Sequence, residues 1–288
     1  MGAWGQGSAA IWSRRTSEAK GRLMDGPELV VETRGAVEIV TLNRPEALNA
    51  LSPTLTDALV DYFDALHRRP GVRVVILRAE GRAFCAGLDL KGWPANEGET
   101  AVLATLAVQT RIGNIFRRMR SCPQPIIACA QGAACGGGFS LLLAADVRYG
   151  APSLRMNAAY IKIGLGGADM ASSYLLPRLV GRSIASELLL TGRFLGAERA
   201  LKIGLISEIV EEARLTEVAL ALADDMLATS PYGLRLTKQA LEINTDAPSL
   251  EAAMALEDRQ QVLLSATRDF EEAKRAFAEK RPPEFKGE

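Results

Sequence analysis

Two strand-like apolar runs, each ending directly at a turn of very small residues, constrain this chain more than any other feature. The run 72–78 (VRVVILR) is rich enough in β-branched residues to be buried on both faces of a sheet, and 125–130 (PIIACA) is a second, shorter one. The turns that follow are 83–90 (AFCAGLDL) and 131–140 (QGAACGGGFS). A turn built from Ala and Gly leaves its backbone N–H groups open, because no bulky side chain blocks approach, and two such turns facing each other can grip one carbonyl oxygen. That is the outline of an oxyanion hole for an enolate or a tetrahedral oxyanion. Gly137 offers an N–H near the start of an apolar helix, where the dipole favours an anion, and Ala86 offers a second donor. A single donor of this kind is worth about 3 kcal/mol of barrier. The alternative for Gly136, Gly137 and Gly138 by themselves is a tight turn that needs positive φ.

The rest of the first half alternates strand and helix. A strand is expected over 37–42 (VEIVTL), a helix N-capped by Ser52 and running to about His67, a helix over 100–120, and an apolar helix over about 137–145. This order implies right-handed βαβ crossovers and a sheet covered by helices. After residue 151 the pattern becomes mostly helical, with short strand-like pieces at 153–156 and 205–210. Helices are expected over 171–180, 183–191, 197–203, 213–229, 232–243 and 249 to about 279, separated by glycines and by Pro231 and Pro248. Residues 1–26, rich in Gly, Ser, Ala and charge, read as a disordered extension. The expected organisation is an αβ core over 27–230 followed by a helical region over 231–288.

Several function classes lose support at this stage. Lys plus Arg and Asp plus Glu each number 34, so no global basic field recruits nucleic acid. No apolar stretch approaches the length of a membrane span and no apolar signal-peptide core is present, which points to a cytoplasmic location without membrane association. Cys85, Cys122, Cys129 and Cys135 lack zinc-site spacing and read as reduced, buried thiols. His67 is the only histidine and reads as a cation at a helix end, which disfavours Ser-His-Asp and Cys-His nucleophiles and a histidine metal site. The glycines match neither G-x-G-x-x-G nor the phosphate-binding G-x-x-x-x-G-K-[ST] pattern. No metal or separate cofactor is expected.

Five blocks in order carry a family resemblance: 40–52 (VTLNRPEALNALS), 72–91 (VRVVILRAEGRAFCAGLDLK), 125–149 (PIIACAQGAACGGGFSLLLAADVRY), 188–210 (LLLTGRFLGAERALKIGLISEIV) and 276–287 (AFAEKRPPEFKG). Together they resemble the enoyl-CoA hydratase/isomerase (crotonase) family over roughly residues 27–287. The resemblance implies an α/β fold with a ββα spiral core, a helical C-terminal trimerisation region, and a homotrimer or dimer of trimers. It implies an acyl-CoA thioester as substrate, coenzyme A being part of that substrate, and it makes Ala86 and Gly137 the donors to the thioester carbonyl. Asn43 and Arg44 match a segment near the CoA pantetheine and phosphates, with a solvated loop charge as the alternative for Arg44. Asp89 matches an acidic position near the adenine pocket. Phe277 and Lys280 match positions that reach CoA from a neighbouring subunit, with trimer packing as the alternative.

The chain departs from the pattern at the acid/base positions. Hydration needs one group to activate water and another to deliver a proton, and hydratases of the family use two glutamates. At the matching positions this chain has Ser140 and Tyr160. Asp169, eight residues before Pro177, resembles an acidic position of the dienoyl-CoA isomerase branch; it is equally placed to cap a helix, and both roles can hold at once. Ser140 and Tyr160 are left to orient substrate or water. The expectation is an enzyme that stabilises a thioester enolate, of enoyl-CoA hydratase/isomerase type, in fatty-acid or related acyl-CoA metabolism. The alternatives are a double-bond isomerase of enoyl- or dienoyl-CoA and a non-hydrating CoA-ester binding protein.

Overall fold

The computed structural model describes residues 26–93 and 101–288, so the expected extension lies, up to residue 25, outside the described residues. Strands β1 (Leu29–Arg34) and β2 (Val37–Leu42) form an antiparallel hairpin closed at Gly35, whose φ of 61° suits glycine. The Ser52 hydroxyl accepts the Leu55 N–H at 3.0 Å and starts α1 (Pro53–Ala65), with proline at the first helical position. Then follow β3 (Val74–Ala79), α2 (Ala101–Ser121), β4 (Ile126–Ala130), β5 (Ala133–Cys135), α3 (Gly137–Ala144), β6 (Val147–Gly150) and β7 (Arg155–Asn157). The second half comprises α4 (Ser172–Val180), α5 (Arg182–Thr191), β8 (Leu195–Gly196), α6 (Ala197–Lys202), β9 (Glu208–Ile209) and α7 (Leu215–Leu227). Three helices close the chain: α8 (Pro231–Asn244), α9 (Leu250–Ser265) and α10 (Arg268–Glu279).

The main sheet has the order β1-β2-β3-β4-β6-β9, parallel apart from the β1 edge, and a smaller sheet has the order β5-β7-β8. Both faces of the main sheet are covered, which is why β2, β3 and β4 read as near-continuous apolar runs. Val40, Leu42, Val75, Leu77, Ile126 and Ala128 join the core formed with α1, α2 and α3. Their neighbours Val37, Ile39, Val74, Ile76, Ile127 and Cys129 face Leu215, Ala219 and Ala223 of α7. Alternation along each strand sends successive side chains to opposite cores.

Three expectations change. The single helix over 249–279 divides, because the Thr267 hydroxyl accepts the Phe270 N–H at 3.2 Å and starts α10 afresh. Strands β1, β5, β6 and β8 were not expected as separate elements. Cys135 is only partly buried, unlike Cys85, Cys122 and Cys129, and all four thiols are free. No helix among the described residues is long and apolar enough to cross a membrane.

Candidate active site

The parallel strands β3 and β4 end side by side, so the small-residue turns that follow them lie together. The Phe84 N–H donates to Gln131 O at 2.8 Å, Cys85 N–H to Ala133 O at 3.0 Å, and Cys135 N–H to Cys85 O at 2.9 Å. The closeness depends on glycine. A Cβ on Gly138 would lie 2.1 Å from Cys85 O, and one on Gly87, whose φ is 103°, would lie 2.9 Å from Cys135 O and 3.5 Å from Gly137 N.

Gly137 opens α3, and its N–H has no acceptor among the described residues, as befits the first turn of a helix. Ala86 behaves otherwise: its N–H donates to Leu48 O at 2.9 Å and is therefore spent on the 43–52 loop. That loop pairs along the first turn through Leu51 N–H to Gly87 O at 2.7 Å and Asp89 N–H to Leu51 O at 3.1 Å. In such a parallel pairing the intervening Leu88 N–H faces away from the loop, and it has no acceptor among the described residues. Leu88, two residues beyond the expected Ala86, thus keeps an unspent donor in the first turn. Sequence reasoning missed it because the choice depends on which segment pairs with the turn, and Leu48 and Leu51 are more than thirty residues away.

Ser140 is buried on α3, and Tyr160, on a short turn over Ala159–Ile163, stands beside it with Oη 3.3 Å from Ser140 Oγ. The Tyr160 ring fits against Gly136, where a Cβ would lie 3.6 Å from Cδ1. Burial pushes the Tyr160 phenol above its usual pKa, against the opposing effect of the Ser140 and Ser172 hydroxyls. A phenol pushed upward stays protonated at neutral pH, so the two hydroxyls meet as a neutral pair.

Asp169 is not the N-cap of α4. That helix begins at Ser172 after Met170 and Ala171, both left-handed with φ of 48° and 65°, and its cap residue is Ala171. Two successive non-glycine residues in this region are costly and mark a constrained turn. The turn aims the Asp169 carboxylate elsewhere: Oδ1 accepts the Met170 N–H at 2.7 Å and the Gln109 side-chain amide from α2. Burial raises the Asp169 carboxyl above its ordinary pKa, more than the bonds from Met170 and Gln109 lower it. Asp169 lines a cavity of about 690 Å³ between α2 and α4. Met170 also lines it, and its Sδ lies 3.2 Å from where a Gly137 Cβ would be, which ties the cavity to the second turn.

The remaining predicted residues divide. Arg44 pairs with Glu28 and Asp89, each at 3.1 Å, and Nη1 donates to Ala50 O at 2.7 Å. It therefore braces the loop beside the first turn. Burial alone would raise the Asp89 carboxyl, but hydrogen bonds from Arg44, Gly92 N–H and Lys91 N–H outweigh it and hold it below the usual value. The Asn43 amide donates to Pro27 O at 3.1 Å. Phe277, 87% exposed, and Lys280, in the left-handed conformation that ends α10, are not brought to this site within one chain. Asp269 of α10 stands near Arg73, which precedes β3 and so lies at the opposite end of that strand from the first turn. Among the described residues no group of three or more His, Cys, Asp or Glu side chains is arranged to hold a metal ion.

Comparison with known proteins gives a consistent result. Residues 32–288 match the family model described as Enoyl-CoA hydratase/isomerase. The chain is 39% identical over 253 residues to "Probable enoyl-CoA hydratase echA12" of Mycobacterium leprae, covering 86% of each. It is 33% identical over 251 residues to the 1,2-epoxyphenylacetyl-CoA isomerase of Escherichia coli K12, covering 87% of this chain and 95% of that one. The crystal structure of an enoyl-CoA hydratase from Bacillus anthracis is similar at a TM-score of 0.84 and 31% identity, over 91% of this chain and 100% of that one.

Proposed function

The chain belongs to the enoyl-CoA hydratase/isomerase family, with its crotonase fold and C-terminal helices, and on that premise we propose that it isomerises the double bond of an enoyl-CoA through a thioester enolate. The observation that carries the reading is the pair of unspent N–H groups, Leu88 and Gly137, on two abutting turns. They donate to the thioester oxygen as negative charge develops on it, where fixed donors lower the barrier without having to reorganise. Asp169 is the base. Its carboxylate removes a proton from C2 of a 3-enoyl thioester, and the electron pair moves onto the thioester oxygen as a dienolate. The Asp169 carboxyl, which exchanges its proton with solvent while it holds it, delivers a proton at C4, the oxygen gives back its electrons, and the double bond lies between C2 and C3. A carboxylate raised toward neutrality suits both removing and returning a proton.

Hydration needs a second acid/base group, and Ser140 and Tyr160 stand where the resemblance places two glutamates. The same pair supports a second reading, a CoA-ester binding protein without turnover. Exposed Leu241, Leu250, Met254, Val262, Leu263 and Phe277 on α8, α9 and α10 support a homotrimer or dimer of trimers, in which Phe277 and Lys280 would meet a neighbour's CoA. The four free thiols suit a reducing, cytoplasmic setting.

Incubation with 3-enoyl-, 2-enoyl- and dienoyl-CoAs in deuterated water tests the proposal. Double-bond migration with deuterium at C2 or C4 and no 3-hydroxyacyl product is the expected result. Dominant hydration moves the assignment to a hydratase, and tight thioester binding without exchange favours the second reading.

A further inference from the structure

Among the described residues, the cavity beside Asp169 carries one cation whose charge no carboxylate answers. Of its charged lining groups, Arg120 is paired with Glu242 and with Asp146, and Asp169 is held by Gln109. Arg117, an exposed residue of α2 that also lines the cavity, has no carboxylate partner among the described residues. Its Nη1 donates only to neutral oxygens, Asn114 Oδ1 at 3.0 Å and Thr110 O at 3.4 Å. These contacts orient the guanidinium and leave its remaining donors for a ligand.

The orientation depends on a glycine inside a helix, where that residue otherwise costs about 1 kcal/mol relative to alanine. Arg117 folds back over Gly113, and a Cβ there would lie 3.1 Å from Nη1 and 3.7 Å from Cζ. Gln109, Gly113 and Arg117 follow one another at intervals of four on one face of α2. The guanidinium thus lies at the level of Gly113, about 6 Å along the helix from Gln109, which holds Asp169. A few methylene groups cover that span, and the buried Phe116 contributes apolar wall to the cavity.

Resting on the acyl-CoA reading above, we propose that Arg117 is a specificity-determining residue that receives a carboxylate at the far end of a short acyl chain, so that the preferred substrates are ω-carboxyacyl-CoA thioesters. A guanidinium presents paired N–H donors that match a carboxylate in a way a methyl end cannot. The proton transfer at Asp169 is unchanged; the carboxylate sets which chain is held in register with it.

Calorimetric titration of the full chain with two saturated, unreactive thioesters of equal length, adipoyl-CoA and hexanoyl-CoA, separates the ideas. The expected result is at least a tenfold preference for adipoyl-CoA at low salt, diminished at high salt and reduced to near unity in Arg117→Leu. Arg117→Lys, which keeps the charge but loses the fork, is expected to retain only part of it. Equal binding of the two thioesters, or a preference that survives Arg117→Leu, overturns the assignment of Arg117 while leaving the acyl-CoA reading standing. If neither thioester binds, both readings fall together.

Discussion

Asp169, the proposed base, sits where its charge is costly. Burial raises its carboxyl, so in the interval between the unfolded and folded pKa values the native state holds more protons than the unfolded state. Stability contributed by this group therefore falls as pH rises through that interval, and above it the ionised side chain carries its desolvation cost. Asp169→Asn removes the charge and keeps an oxygen for the Met170 N–H. At neutral pH the variant is expected to melt no lower than the parent, while deuterium exchange falls by about 100-fold or more. Full exchange in the variant would remove Asp169 from the mechanism. In the parent, exchange is expected to decline on acidification at a higher pH than an ordinary carboxylate dictates. Arg44 is the contrasting residue: its guanidinium serves Glu28, Asp89 and Ala50 O together, so Arg44→Ala is expected to cost about 2 kcal/mol in urea unfolding. Because the Asp89 carboxyl is depressed, its stabilisation is present above the unfolded pKa and is lost as pH falls through the folded one. The gap between parent and Arg44→Ala is thus expected to narrow in acid.

At the scale of elements, two glycines inside helices illustrate opposite uses of a missing side chain. In α3, a Cβ on Gly138 would meet the Cys85 carbonyl, a backbone atom that cannot move without parting the two turns. Gly138→Ala is expected to lose about 3 kcal/mol or more in chemical denaturation, and a near-neutral result would contradict the close approach on which the N–H pair depends. In α2, a Cβ on Gly113 would meet only the tip of a flexible arginine. Gly113→Ala is therefore expected to raise the melting temperature through helix propensity while weakening discrimination between adipoyl- and hexanoyl-CoA. Caps were the most legible local features: Ser52 starts α1 where its position before Pro53 indicates. Thr267 was less so, because the sequence around it continues a helical pattern on both sides, and only the bond from Phe270 N–H divides α9 from α10.

For the molecule as a whole, the last three helices present Val262 and Leu263 at 69% and 65% exposure, more apolar surface than a solitary domain usually leaves open. The doubly substituted Val262→Glu/Leu263→Glu chain is expected to elute as a monomer in light-scattering chromatography while the parent elutes as a trimer or hexamer. A monomeric parent would refute the assembly. A single chain does not bring Phe277 to the turns, so any contact it makes with CoA depends on this assembly.

The alternation of strand and helix, the two small-residue turns, and the family they belong to were legible in the chain, because buried strands, caps and glycine turns are written in neighbouring residues. The sequence also placed Gly137 at a helix start, where a free N–H follows from helix geometry alone. Which donor of the first turn stays free was decided only by tertiary structure, since it depends on the 43–52 loop taking the Ala86 N–H and leaving that of Leu88. The same holds for Asp169, whose release from a capping role required the left-handed Met170–Ala171 turn, and for the small strand β5, whose partners lie in β7 and at Cys85. Hydrogen-bond donors are local in sequence, but their acceptors are assigned by the fold: the 43–52 loop takes the Ala86 N–H, while those of Leu88 and Gly137 keep no acceptor among the described residues.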